Sequence, residues 1–171
     1  TTDTALADDV PTTIDERAEV AVEPYVESAP SPVSADPRSL HEAEHLPSLR
    51  SVVQQVLDAE APIHVEELTR RVAASFGVTK VTARAQKRVV SVARKLVPPA
   101  VVREPFVWAA NVDPATFDRV RGPTEDGASR DVDHLPPEEV ASAAYKVLAD
   151  NLAMPHLDLV RETARLFGIP R

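Results

Sequence analysis

The sequence HEAEH matches the H-E-x-x-H pattern of zinc metalloproteases letter for letter. On a helix, this spacing would place His41 and His45 on one face as zinc ligands. Glu42 would then act as the general base, and Glu66 or Glu67 could supply a third ligand. The pattern is therefore the first candidate for catalysis in the chain.

The surroundings of this motif argue against a catalytic helix. Pro37 and Pro47 limit a helix here to about two turns, and few apolar residues are available to bury it. The run SLHE is also a capping box, in which Ser39 caps the helix and Glu42 occupies its third position. We therefore place zinc metalloprotease last among the alternatives, and we expect no metal and no other cofactor.

A second stretch, KVTARAQKRVVSVARK at residues 80–95, contains six Lys or Arg and no Asp or Glu. At 100° per residue its apolar side chains share one side of a helix, and cations occupy the opposite arc. The cations on that arc are Lys80, Arg84, Lys87, Arg88 and Lys95. Such side chains neutralise phosphates and, less directly, read base edges. We therefore predict these five as nucleic-acid-binding residues, with DNA as the expected partner.

Two other interpretations of this basic stretch stay open. The cations could dock on an acidic protein surface, or they could form only a solvated face. A solubilising face usually mixes both signs of charge, since pairs three or four residues apart stabilise a helix. The absence of acids over 16 positions therefore favours a contact, with nucleic acid ahead of protein.

The net charge of −8 is distributed unevenly along the chain. Residues 1–48 carry 11 acidic and 2 basic side chains, residues 49–109 carry 5 and 10, and residues 110–171 carry 11 and 7. A basic middle is thus flanked by two acidic segments. The first of these segments could cover the basic stretch, which is a hypothesis of internal masking.

No other constellation of an active site is visible. His64, His134 and His156 occur singly, and the sequence contains no G-x-S-x-G, Walker or G-x-G-x-x-G motif. Cysteine is absent, and no apolar run approaches the roughly 20 residues that span a bilayer. We therefore expect a cytoplasmic, non-enzymatic chain with no membrane contact and no small-molecule substrate.

Composition and apolar spacing predict the elements that position the basic stretch. Residues 1–48 predict a largely irregular acidic arm or linker, except that EVAVEPYVE could form a short strand or lie against an apolar surface. Residues 49–109 predict three helices, the third of them basic, and then a β-hairpin that turns at Glu104–Pro105. This order is typical of a winged helix-turn-helix, whose third helix can enter the major groove of DNA.

The C-terminal segment predicts a second helical unit in a mainly α fold. Residues 110–134 predict a connecting loop, and residues 135–171 predict an antiparallel pair of helices. A pair of this size needs a neighbour, so we expect it to pack on the winged helix. Because the chain begins at Thr1 without Met and ends soon after a helix, we expect it to be part of a longer protein.

Several segments between residues 46 and 171 resemble a known family, namely VLDAEAPIHVEELTRRVAASFGV, REPFVW, RVR, SRDVDHLPPEEVASAA and LVRETARLFGIPR. The family is the uncharacterised C-terminal domain of large bacterial proteins that carry a superfamily 1 helicase-type ATPase and often a restriction-endonuclease-like module. The resemblance implies an accessory domain of a DNA-processing machine, with defence as one setting. The rival implication is a structural domain that docks on the parent's ATPase or nuclease. The motifs of those two activities are absent from this sequence.

Overall fold

The computed structural model describes residues 20–151 and 153–170, which are mainly helical, as predicted. These residues form five α-helices: α1 (Leu46–Glu60), α2 (Val65–Ala74), α3 (Ala83–Ala93), α4 (Pro137–Asn151) and α5 (His156–Leu166). They also form short 3-10 helices at Pro37–His41, Pro114–Thr116 and Val132–His134. Each of the five predicted helices is therefore present.

Two small sheets accompany the helices in this part of the chain. The strands are β1 (Val22–Glu23), β2 (Ile63–His64), β3 (Val101–Arg103), β4 (Phe106–Trp108) and β5 (Val120–Arg121). One sheet is antiparallel with the order β2–β4–β3, and in the other β1 pairs in parallel with β5. The hairpin of β3 and β4 turns at Glu104–Pro105, as predicted. Neither β2 nor β5 was predicted, because a two-residue strand has no alternation to recognise.

The main core lies between α1, α2 and α3. Apolar side chains repeat every three or four residues on each of these helices, and each helix buries that side against the other two. The largest fully buried members include Leu49, Leu68, Phe76 and Val89. α2 ends before Gly77, whose φ of +67° closes the helix, so the predicted C-terminal cap is confirmed. The three packed helices thus give α3 a rigid support.

The N-terminal arm folds back onto this core from residue 20 onward. Val20 and Tyr25 are buried, and Val22–Glu23 forms β1, so a short strand is present within EVAVEPYVE. Further along, Val33 and Ser34 donate their backbone N–H groups to the carbonyl oxygen of Ser75 at the end of α2 (2.6 and 3.1 Å). The arm is therefore attached at two places, first around β1 and Tyr25 and second at the end of α2.

Gly77 makes the second attachment sterically feasible. A Cβ at this position would lie 2.6 Å from the carbonyl oxygen of Ala35 in the arm. The positive φ of Gly77 is also one that residues with a side chain adopt at a cost. One glycine therefore both ends α2 and admits the arm.

α4 and α5 pack on each other and share a second apolar cluster with the arm. The buried members of this cluster are Val20, Val120, Leu135, Ala143 and Phe167. The cluster connects the arm, β5 and the C-terminal helices, so residues from both ends of the described chain meet here. Among the described helices, none is long and apolar enough to cross a membrane.

Candidate nucleic-acid interface

α3 carries the basic face and is fixed to the core by its opposite side. Thr82 begins the helix, because its Oγ1 accepts a hydrogen bond from the backbone N–H of Ala85 (3.2 Å). Ala85 and Val89 are buried where α3 packs on α1 and α2. The helix is shorter than the predicted span, so Lys80 precedes it and Lys95 follows it.

The five predicted cations lie on the solvent side of α3 and at its two ends. Lys80, Arg84, Lys87 and Lys95 are exposed, and Arg88 is half-buried. None of the five pairs with an acid within residues 20–151 and 153–170. By contrast, the lysines and arginines of α2, α4 and α5 are each paired with an acid. These cations are Arg70, Arg71, Lys146, Arg161 and Arg165. Nucleic-acid contact by the five remains a prediction.

The 3-10 helix Pro37–His41 packs along one side of this surface. Leu40 is buried in the main core, which holds the neighbouring His41 close to Arg84 and Arg88. Burial lowers the pKa of His41 below its ordinary value, and the positive charges of the two arginines lower it further. The Nε atom of Arg88 is buried and has no acceptor among the described residues. The local potential is therefore positive and favours an anionic ligand.

A groove of about 420 Å³ runs along the other side of α3, between the helix and the β3–β4 turn. Lys87 and Lys95 line it together with Arg94, and Glu104 of the turn faces them. Nη2 of Arg94 lies 3.6 Å from Oε1 of Glu104, and both side chains are more than half exposed. Arg94 was not among the five predicted residues, although it belongs to the same basic stretch.

The HEAEH motif does not form a single helix. His41 ends the 3-10 helix, whereas His45 immediately precedes α1. Nε2 of His45 lies 3.7 Å from Glu42 and 3.6 Å from Glu44. Within the described ranges, His41 belongs to no group of metal-ligating atoms. The chain therefore lacks, at this motif, the single helix on which a zinc metalloprotease carries both histidines.

The capping box expected in SLHE is also wrong. Asp36 caps the 3-10 helix instead, because its Oδ1 accepts a hydrogen bond from the backbone N–H of Arg38 (2.9 Å). Ser39 donates its hydroxyl to the carbonyl oxygen of Asp36 (2.5 Å), and Glu42 lies just beyond the helix. Because Asp36 caps the helix one turn before Ser39, the helix ends at His41 and does not include Glu42.

A buried cluster of charged side chains connects α4 to the rest of the chain. Glu139 is fully buried and accepts hydrogen bonds from Arg121 Nη2 (2.6 Å) and Arg130 Nη2 (2.7 Å). Arg121 also donates to the carbonyl oxygens of Glu60 (2.6 Å) and Pro62 (2.9 Å) at the end of α1. Burial acts to raise the pKa of Glu139, but the two arginines outweigh it and hold that pKa below its ordinary value.

Glu60 is the second buried carboxylate of this cluster. It accepts hydrogen bonds from the hydroxyl of Tyr25 (2.5 Å) and the backbone N–H of Ser28 (2.8 Å), and Arg71 Nε lies 3.4 Å away. Burial raises the pKa of Glu60, which these three contacts only partly offset. Burial and the nearby Glu60 likewise raise the pKa of Tyr25. Each carboxylate faces an arginine, so the cluster compensates its own charge and indicates a structural role.

His64 and His134 stack beside this cluster, with ring centroids 4.1 Å apart and planes inclined by 19°. Together with Glu66 they bring potential ligand atoms within 4.8 Å of one another. However, a metal ion lies in the plane of each imidazole that binds it, so two stacked rings must rotate before they share one ion. Arg70 also binds Glu66 and Glu67, and Nδ1 of His64 already caps α2. The arrangement therefore fits a structural contact better than a metal site.

Comparison with known proteins gives a single family. A family described as "Protein of unknown function (DUF3320)" matches residues 38–87. The matched segment covers α1, β2, α2 and the first part of α3, which is a minority of the chain. No curated protein and no solved structure gives a significant match. The chain is thus similar to a domain of unknown function over the helices that support the basic face.

The buried cluster was invisible in the sequence. Arg121, Arg130 and Glu139 occur in polar segments where charged residues usually face solvent. Their partners lie up to 61 residues away along the chain, and no local spacing encodes such a contact. Arg94 could have been found, since it belongs to the same acid-free stretch as the five predicted cations.

Proposed function

We propose that this chain is an accessory nucleic-acid-binding module in which α3 contacts the phosphate backbone. One observation carries the proposal: the five predicted cations on α3 and at its ends, which we call the α3 surface, lack acidic partners among the described residues, whereas the cations of α2, α4 and α5 have them. A protein leaves several cations unpaired on one rigid surface at a cost in repulsion, which a polyanion would relieve.

The topology supports a winged helix-turn-helix as the architecture of this module. The element order α1, β2, α2, α3, β3, β4, with β4 central in its sheet, agrees with that fold. In such a fold the third helix can lie in the major groove of duplex DNA. The resemblance of the sequence to a helicase-associated domain suggests a larger DNA-processing protein as the parent, with ATPase or nuclease domains as further partners.

The second candidate is a structural or protein-interaction domain, and a different surface favours it. Leu157 and Val160 of α5 are 65% and 52% exposed, and a cavity of about 310 Å³, lined by apolar side chains and Thr163, opens beside α4 and α5. Exposed apolar residues that cluster in this way are typical of protein contacts. In this alternative the basic face would dock on an acidic surface of the parent.

The decisive experiment is a salt titration of binding with duplex and single-stranded probes. For about three to five neutralised phosphates, log affinity should fall against log salt with a slope of about −2.7 to −4.5 for duplex DNA. Non-specific dissociation constants should lie at about 10⁻⁴ to 10⁻⁶ M. Absence of binding to either probe at low salt, or binding that salt does not weaken, would reject the proposal.

A further inference from the structure

The groove between α3 and the β3–β4 turn has an asymmetric arrangement of charge. Of the described residues, three cations line it, Lys87, Arg94 and Lys95, and one acid, Glu104, lies opposite them. Lys87 and Lys95 have no ion-pair partner in the described part of the chain, so Glu104 neutralises only Arg94. The groove therefore retains positive charge beside a helix that already carries more of it.

The contact between Arg94 and Glu104 is the type of ion pair that is easily replaced. The two groups are 3.6 Å apart, and their side chains are 55% and 76% exposed. Exposed pairs of this length contribute little, because water screens them and both side chains lose freedom in making them. A phosphate can bind an arginine through two parallel hydrogen bonds, which is a stronger and more directional contact.

The other lining groups suit a phosphate better than a base. Gln86 and Ser91 add an amide and a hydroxyl, both of which can donate hydrogen bonds to phosphate oxygens. Among the described residues, no aromatic side chain lines the groove, so a base would find no platform there on which to stack. The chemistry of the groove thus matches the backbone of a strand.

We propose that this groove binds a backbone phosphate through Arg94, and that Glu104 competes with the phosphate for the same guanidinium. This inference rests on the proposed function and adds a regulation to it. Before binding, Glu104 holds Arg94 at the mouth of the groove. On binding, Arg94 exchanges the carboxylate for the phosphate, and Glu104 is left as a repulsive group that limits affinity.

The test compares four proteins by fluorescence anisotropy with one duplex probe over a range of salt concentrations: wild type, Arg94→Gln, Glu104→Gln and the double variant. We expect Glu104→Gln to bind about three- to tenfold more tightly at low salt, because a charge at the edge of an interface acts mainly through electrostatics. Arg94→Gln should bind about three- to tenfold more weakly, with a salt slope reduced in magnitude by about 0.9. In the Arg94→Gln background, Glu104→Gln should improve binding less than it does in wild type.

Glu23→Gln provides the matched control. Glu23 forms a similarly exposed ion pair with Arg119, and it lies outside the groove. Glu23→Gln changes the net charge by the same amount as Glu104→Gln, but it should leave the affinity for the duplex probe within about twofold of wild type. Equal gains from Glu23→Gln and Glu104→Gln would overturn the proposal, because the effect would then be one of net charge.

Different results would reject the groove proposal and the proposed function on which it rests. If wild type binds but neither Arg94→Gln nor Glu104→Gln alters the affinity, the groove is excluded and the α3 surface is retained. If wild type does not bind at low salt and Glu104→Gln does not bind either, both are rejected. Thermal melting of all variants should show the wild-type midpoint within a few degrees, since the exchanged side chains are exposed.

Discussion

Two regions of this chain treat charge in opposite ways. In the buried cluster, Glu60 and Glu139 have almost no contact with solvent, and arginines or a tyrosine satisfy both carboxylates. On the α3 surface, Arg84 and Lys87 are exposed to solvent without an acid beside them in the described ranges. The difference separates charge that is paired inside the fold from charge that remains unpaired at the surface.

The origin of this difference lies in the spacing of opposite charges. In α5, Asp158 and Glu162 each precede an arginine by three residues, so both arginines find a partner within the helix. α3 has the same length as α5 but contains no acid at all. The comparison indicates that the presence and position of acids in a helix, and not its number of cations, determine whether those cations stay unpaired.

The largest expected effect is on stability, from Glu139→Ala. The substitution leaves Arg121 and Arg130 buried without their carboxylate, and breaking a buried ion pair in this way costs about 3–5 kcal/mol. Urea denaturation followed by circular dichroism should show a matching loss in the free energy of unfolding. Glu138→Ala is the control, since Glu138 is in the same helical turn and should cost less than about 1 kcal/mol. Equal losses for the two variants would contradict the internal role of the cluster.

The next effect is on binding, from reversal of the α3 charges. The triple variant Arg84→Glu, Lys87→Glu and Arg88→Glu should lower affinity for duplex DNA by about a hundredfold or more at low salt. Its circular dichroism spectrum and melting midpoint should remain close to wild type.

The control for this reversal uses cations that already have partners. Reversing Lys146, Arg161 and Arg165 changes the net charge equally and should leave binding within about threefold. An anisotropy titration of both triple variants against wild type distinguishes the outcomes. A similar loss in both would show that total charge, and not the α3 surface, determines binding.

A smaller effect on stability is expected at acidic pH, and it arises at the stacked histidines. Burial lowers the pKa of His64, and the neighbouring His134 lowers it further. The unfolded chain therefore takes up a proton near pH 6.5 that the folded chain accepts only at lower pH, so stability falls as the pH drops below about 6.5. Protonation also removes the acceptor that caps α2, a contact worth about 0.5–1 kcal/mol.

His64→Asn tests the origin of this loss, because asparagine can cap α2 without titrating. Urea midpoints at pH 7.5 and pH 5.5 should differ by less in the variant than in wild type. His64 also lies near Glu66, Glu67 and Asp131, and these carboxylates oppose the loss in wild type. An identical pH dependence in the two proteins would rule out His64 as its source.

The smallest effect is a change in the titration of His41. The charges of Arg84 and Arg88 contribute to the low pKa of this side chain. Phosphates that neutralise those arginines should therefore raise the pKa of His41. NMR titrations with and without duplex DNA should detect the rise, while the resonances of His156 on α5 should not respond to DNA. A fall in the pKa of His41 on binding would place the DNA elsewhere.

The sequence was sufficient for the elements with strong local patterns. Apolar spacing in α1, α2 and α3 predicted three packed helices, and Gly77 marked an end correctly. The basic stretch predicted a helix that carries cations, and the structure places three of the five predicted cations on α3 and one beyond each of its ends. These features depend on neighbours within four residues, which is the range over which a sequence pattern is informative.

The features that were missed depend on contacts between distant segments. The pairing of β1 with β5 joins Val22 to Val120, and neither two-residue strand is distinguishable in isolation. The partners of Arg121 were unpredictable for the same reason. SLHE shows the opposite error, since a local match predicted that Ser39 caps a helix, whereas Asp36 caps the 3-10 helix one turn earlier.

The hydrogen bonds from Arg121 to the carbonyl oxygens of Glu60 and Pro62 have a practical consequence for dividing this chain. A fragment that keeps the N-terminal arm but ends after the hairpin would lose the guanidinium that closes the end of α1. Two acceptors at that helix terminus would then have to be hydrated, and Tyr25 would lose a cation from beside its ring. Because Arg121 is itself paired with the buried Glu139, a fragment that keeps this closure must include β5 and α4, so C-terminal deletions should begin beyond α4.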